Sequence, residues 1–265
     1  MRIFHYTFFL PVCLAMFASS ALAQGALEGI ASGKTKIIDL SYAINDKLVS
    51  WPGDPKVFES KTNGTIEKDG YFTRSFWMLE HYGTHLDAPA HFPPGKLTVE
   101  QIAPEKFFGP AVVLDIRVAA EKNADYQLST AIIESWEKRH GRIPAGAIVI
   151  LRTGWASRWP DVQRYRNTDA KGAMHFPGFS MDAAKILLDR KIGGIGCDTL
   201  SIDRGNSTDF PVHHLVLGAN VYQLENLRDL DALPEAGAFL IVAPIKLEGG
   251  SGGAVRVFAL VSGQS

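Results

Sequence analysis

Apolar, β-branched runs recur along this chain and predict a sheet. Ile37–Leu40, Ala111–Ile116, Ala147–Leu151, Phe239–Ala243 and Val255–Val261 are short and nearly continuous, the pattern of strands buried on both faces. Phe72 to His81 instead alternates apolar with polar, as a half-buried strand does. Ile195-Gly196-Cys197-Asp198 reads as the end of another buried strand, and Val221, Gln223 and Glu225 share one face of a short one. Two segments follow the helical period. Leu128, Ile132, Ile133 and Trp136 fall on one helical face that ends at Gly141, and Ser180 is placed to cap a helix from Met181 to Arg190. Strands interleaved with helices predict an α/β fold, one single mixed domain. The Pro- and Gly-bearing stretches at 51–55, 89–95 and 172–178 are short enough to be loops inside it, and the chain carries neither a repeat nor a linker.

The first 23 residues depart from that pattern. Arg2, an apolar run from Phe8 to Phe17 and the triplet Ala21-Leu22-Ala23 form a secretory signal with an Ala-x-Ala cleavage site, so residues 24–265 are expected to be exported to the periplasm or beyond. The apolar run is too short to span a bilayer, and no later segment offers the roughly 20 apolar residues a membrane helix needs. Loss of the leader removes one Arg, leaving 26 basic against 28 acidic side chains. That balance gives no reason to expect nucleic acid or an anionic membrane as a partner. Cys13 leaves with the leader, so Cys197 has no internal disulfide partner; its context favours a small buried hydrophobe over a nucleophile.

Five of the chain's eight histidines lie in two places, the chemistry-bearing stretch His81-Tyr82-Gly83-Thr84-His85-Leu86-Asp87-Ala88-Pro89-Ala90-His91-Phe92 and the later pair His213-His214. Three of those histidines and Asp87 occupy the first stretch. A helix does not gather them, because at about 100° per residue Asp87 lies roughly 200° round from His85. An extended segment with period two sends His81, His85, Asp87 and His91 to one side. Neutral imidazole nitrogen and carboxylate oxygen are ordinary ligands for Zn²⁺ or Mn²⁺, and three protein ligands, His81, His85 and Asp87, leave a position for water. His91, last in the run, is then the expected general base and acid.

The segment His81-x-Gly-Thr-His85-x-Asp87-x-Pro-x-His91-Phe resembles the signature of the metal-dependent cyclase family, which includes bacterial kynurenine formamidases and isatin hydrolases. The resemblance runs from Ile37-Ile38-Asp39-Leu40-Ser41 through Trp51-Pro52-Gly53-Asp54-Pro55 to Gly249-Gly250-Ser251-Gly252-Gly253. It implies a swivelling β/β/α architecture, a homo-oligomer (dimer or tetramer) and metal-assisted hydrolysis of an amide bond. It also implies a histidine and a glutamate twelve residues apart late in the chain, a spacing that His213 and Glu225 match. In the family a carboxylate at the latter position accompanies two ions and formamidase-like activity, whereas an amide accompanies one ion and isatin-type substrates. Glu225 therefore implies two ions bridged by Asp87, one with His81 and His85 and the other with His213 and Glu225. The implied substrate is an N-formyl arylamine such as formylkynurenine; an isatin-type lactam and a natural-product cyclisation are the alternatives, with a non-catalytic periplasmic binding protein behind them.

Other residues are less constrained. Trp51 and Phe72 form an apolar wall for an aromatic substrate or pack in the core. His214 is placed beside the centre or at the surface, His140 suits a helix C-terminus as a cation, and His175 sits in a loop within reach of a substrate. The glycine run lacks the Gly-Lys-Ser/Thr ending of a phosphate loop and reads as a turn, and Ser201 lacks the His-Asp partners of a serine hydrolase. Asn63-Gly64-Thr65 and Asn206-Ser207-Thr208 match the glycosylation sequon by pattern alone.

Overall fold

The structure, a computed structural model, describes residues 28–54 and 56–262; the expected leader lies outside them. In chain order the strands are β1 (Thr35–Asp39), β2 (Phe58–Gly64), β3 (Thr73–Met78), β4 (His85–Asp87), β5 (Phe108–Asp115), β6 (Gln127–Leu128), β7 (Ile148–Arg152), β8 (Gly178–Phe179), β9 (Gly194–Cys197), β10 (Tyr222–Glu225), β11 (Ala238–Pro244) and β12 (Gly252–Ser262). Three longer helices are α1 (Thr130–His140), α2 (Met181–Asp189) and α3 (Pro211–Gly218).

The main sheet runs β1-β12-β11-β5-β7-β9-β10-β4, and β4 pairs again with β12, closing it into a barrel with β1 on its outside edge. Strands β5, β7, β9 and β10 are parallel, and the rest join antiparallel. Alternation along each strand separates two cores. Ala111, Val113, Ile148, Ile150, Leu86 and Leu224 pack inside the barrel, while Val112, Leu114, Val149, Leu151 and Ile195 pack outward under helix residues Leu187, Val212 and Val216. Each buried Val, Leu or Ile side chain among them stabilises the fold by about 1.5–3 kcal/mol, which is why the β-branched runs specify the sheet so firmly.

The five apolar runs all appear as strands, and Ser180 caps α2 through Ala183 N–H at 3.1 Å. Cys197 is fully buried at the end of β9, and burial pushes its thiol well up. Leu128 differs from expectation: it lies in β6, and α1 starts after it and buries Ile133 and Trp136. His140 lies in the last turn of α1, with Nε2 3.2 Å from the Glu235 carboxylate. The stretch before the histidine run also differs. β3 pairs with β2 in a separate two-stranded ribbon, and residues 74–77 are exposed on both faces. Alternation there is that of a projecting arm, whose two faces both meet water.

Candidate metal centre

Only part of the histidine run is extended. β4 spans His85–Asp87, Gly83 turns the chain at φ 68°, and Pro89–His91 forms a single 3-10 turn. His85 and Asp87 share a strand face as period two requires, with Leu86 in the barrel core. His81 and His91 reach the same place by turns, so a single strand through all four is corrected. β10 lies antiparallel beside β4, with Glu225 opposite His85 and Gln223 opposite Asp87, and directly opposite residues present their side chains to one face.

The second histidine comes from α3, which has Pro211 at its first turn, where a missing N–H costs nothing. Asp203 fixes it: its carboxylate accepts from Val212 N–H and His213 N–H at 3.0 Å each and from His213 Nδ1 at 2.7 Å. Nε2 of His213 then faces inward, 3.3 Å from Glu225 Oε1 and 3.6 Å from Asp87 Oδ2. His85 is arranged alike. Its Nδ1 donates to Gly83 O at 3.0 Å, and Nε2 lies 3.3 Å from Asp87 Oδ1 and 3.4 Å from Glu225 Oε2.

His81 is oriented from across the barrel seam. Glu80 accepts from Ser251 N–H, Ser251 Oγ and Gly252 N–H, so the Ser251 hydroxyl proton is committed and its oxygen accepts from His81 Nε2 at 3.0 Å. That leaves His81 Nδ1 facing Asp87 Oδ1 at 2.6 Å. His91 stacks on His81 with ring centroids 3.8 Å apart.

Three imidazole nitrogens whose protons are elsewhere thus converge on two carboxylates. Acceptors facing acceptors need cations between them, either protons or a metal. The charge balance says the same. For His85, burial opposes the charged form, yet Asp87 and Glu225 overcome it and raise the ring to about 9. Burial likewise fails to stop the Asp203, Asp87 and Glu225 carboxylates from raising His213 well above its ordinary value. Burial would raise Asp87 too, but His85, His213 and His81 hold it well below the usual carboxylate range. Glu225 is raised by burial and by Asp87. Asp87 Oδ2 is buried without a hydrogen-bond partner. The donor set fits a divalent ion: His81, Asp87 and His91 bring ligand atoms within 4.8 Å of one another, as do His85, Asp87 and Glu225. Asp87 is common to both groups, and the expected partners also meet it: His81 and His85 at Oδ1, and His213 3.6 Å from Oδ2.

The site opens into a cavity of about 530 Å³ walled by Trp51, Leu79, Phe92, Leu200 and Phe210. Trp51 is where the sequence predicts it, 5.8 Å from Phe210 ring to ring. Phe72 is not: it is 62% exposed on the ribbon and does not line the cavity, because β3 faces water on both sides. His214 is exposed against Phe92, and His175 is tied to Asp125 at 2.9 Å, away from the cavity lining. Ser201 lines the cavity with no histidine bonded to it among the described residues. The residues that sequence reasoning missed are Phe92, Phe210, Glu80 and Ser251, together with the role of Asp203; the glycine run is a turn that also supports His81 through Ser251 and Gly252.

The chain is similar to proteins of known family. The family model described as "Putative cyclase" matches residues 38–204. The isatin hydrolase of Roseibium aggregatum is 35% identical over 90% of this chain and 98% of its own, and the kynurenine formamidase of Bacillus mycoides is 29% identical over 83% and 94%. A solved isatin hydrolase bound to the product analogue thioisatinate superposes with a TM-score of 0.83 at 31% identity, covering 92% of this chain and 98% of that one. A structure described as a potential metal-dependent hydrolase with cyclase activity matches at 26% identity and a TM-score of 0.65, covering 87% of this chain and all of that one. The higher identity to an isatin hydrolase weighs towards the lactam alternative over the formyl-arylamine expectation. The chain belongs to the cyclase family, and it is a metal-dependent hydrolase acting on a carbon–nitrogen amide bond.

Proposed function

We propose that this enzyme opens a neutral cyclic amide of the isatin type at a centre holding Zn²⁺ or Mn²⁺. The observation that carries the reading is the cavity lining. Its aromatic walls suit a planar ring, and Asp54, Glu80, Asp87 and Glu225 supply carboxylates while no Lys or Arg lines it among the described residues. Formylkynurenine carries an α-ammonium and an α-carboxylate, and the lining offers no Lys or Arg side chain for the latter. A lactam brings no charge.

When bound, the ion acts as a Lewis acid on the carbonyl and lowers the pKa of a water from 15.7 to about 7. His81, His85, Asp87, His213 and Glu225 would hold it. Trp51, Phe92 and Phe210 orient the ring. His91 handles the proton: burial lowers it to about 4, so at neutral pH its ring is free to accept one and pass it to the leaving nitrogen.

Initial rates on isatin, N-formylkynurenine and N-formylaniline test the reading. Higher kcat/KM on isatin is expected. A preference for either formyl compound would replace it with the arylformamidase reading, which Glu225 supports by its resemblance to formamidase-like members.

A further inference from the structure

Gln223 is fully buried, and neither its Nε2 nor its Oε1 has a hydrogen-bond partner. Such a group costs folding free energy unless something else requires it. Its position says what. In the β10–β4 ladder Gln223 stands directly opposite Asp87, on the face that carries Glu225 and His85. Directly opposite residues hold their Cβ atoms about 4.5–5.5 Å apart, which brings a glutamine carboxamide within reach of the aspartate carboxylate. On the other side of β10 its neighbour is Ile195, which offers no polar group.

Asp87 is asymmetric in the matching way. On the β12 side it faces Gly252, over which the His81 ring lies, and its Oδ1 contacts His81 Nδ1 at 2.6 Å. Its Oδ2 has no hydrogen-bond partner, the nearest imidazole nitrogen, His213 Nε2, standing 3.6 Å away. A carboxamide and a carboxylate oxygen, neither of them hydrogen-bonded, therefore stand on adjacent strands of one face.

We propose that Gln223 is a positioning residue of the metal centre, its amide N–H donating to Asp87 Oδ2 when the ion is loaded and fixing the rotation of the shared carboxylate. Each carboxylate oxygen has two lone pairs, so this bond coexists with ligation to one ion or two. A neutral amide also orients Asp87 without adding a fifth charge to the site. The inference rests on the metal-centre reading.

Isothermal titration of metal-free protein with Mn²⁺, paired with melting of the metal-free form, tests it. Wild type binds. Gln223→Leu keeps the volume and removes the amide, so its metal-free Tm should equal or exceed that of wild type, while its Mn²⁺ Kd should weaken by about 10–100-fold, the usual effect of losing an orienting partner. Gln223→Met repeats the test should Leu fail to fold. A purely structural glutamine gives the opposite pair, a lower metal-free Tm with unchanged Kd, and that result overturns the assignment. Wild type that binds no Mn²⁺ or Zn²⁺ would instead remove the metal centre, and the assignment with it.

Discussion

A Cβ on Gly252 would stand 2.4 Å from Cε1 of His81 and 2.7 Å from the Leu86 carbonyl oxygen. Only glycine lets β12 pair with β4 beneath the His81 ring. Gly252→Ala should therefore push the ring from Asp87 and strain the seam, costing about 1–3 kcal/mol as overpacked sites do. Melting and metal titration read the two effects separately. Wild-type metal affinity in this variant would mean that His81 is not a ligand.

Asp203 holds His213 by its ring and its backbone at once. Asp203→Asn keeps the shape but replaces one acceptor oxygen with a donor, so His213 loses its fixed tautomer. Metal affinity should fall by about 10–100-fold. An unchanged affinity, measured by competition with a chelator, would show that His213 needs no such partner.

These two relationships mark the limit of what the sequence discloses. Ala111–Ile116 and Ala147–Leu151 are legible as strands because burial on both faces demands continuous apolar runs, and Ile37–Leu40 is legible by its β-branched residues although Ile37 faces water. His85 and Asp87 are legible because period two is strict within a strand, whereas Glu225 follows from the family resemblance and meets them because β10 lies beside β4. The same rule fails beyond β4, where Gly83 and the turn at Pro89–His91 redirect the chain, and on β3, where an alternating pattern belongs to an exposed ribbon and takes Phe72 away from the cavity. Glu80 and Ser251 meet across 171 positions, a contact made by barrel closure that leaves no local periodicity.

Metal and protons compete for the same nitrogens, so metal binding depends on pH. In metal-free protein His85 is raised from 6.5 to about 9. Its protonation therefore stabilises the metal-free fold fully below about 6.5, and that contribution is lost as pH rises through about 9. An ion must displace this proton, so affinity and the Tm gain on adding Zn²⁺ or Mn²⁺ should both increase from about pH 6 to 9. Calorimetry at several pH values checks the slope, and a flat or falling Tm gain would exclude His85 from the ligand set. Chelation should abolish hydrolysis, and the same ions should restore it.

His91 lies both in the cluster with His81 and Asp87 and on the wall of the cavity. As the proton carrier, His91→Ala should retain metal and lose about 10²–10⁴ in kcat. Metal analysis beside single-turnover rates separates the roles. Loss of metal in step with His85→Ala would make His91 a ligand and leave proton transfer to another group.

The number of ions turns on Glu225. Its Oε1 accepts from Ile202 N–H at 3.1 Å and faces His213, while Oε2 faces His85, so the carboxylate is held with both oxygens towards imidazoles. Asp87 belongs to both candidate clusters, which share no other member. A second ion would add two positive charges to a site whose buried carboxylates otherwise depend on protonated histidines, and an amide oxygen at 225 would be a poorer ligand for it. Wild type should then bind two ions per chain and Glu225→Gln one, counted by metal analysis after exhaustive dialysis. Substrate preference and stoichiometry are read out separately, the one by rates and the other by this count. Wild type that saturates at one ion would remove the dinuclear reading and leave Glu225 as a ligand, or a hydrogen-bond acceptor, in a mononuclear lactam hydrolase.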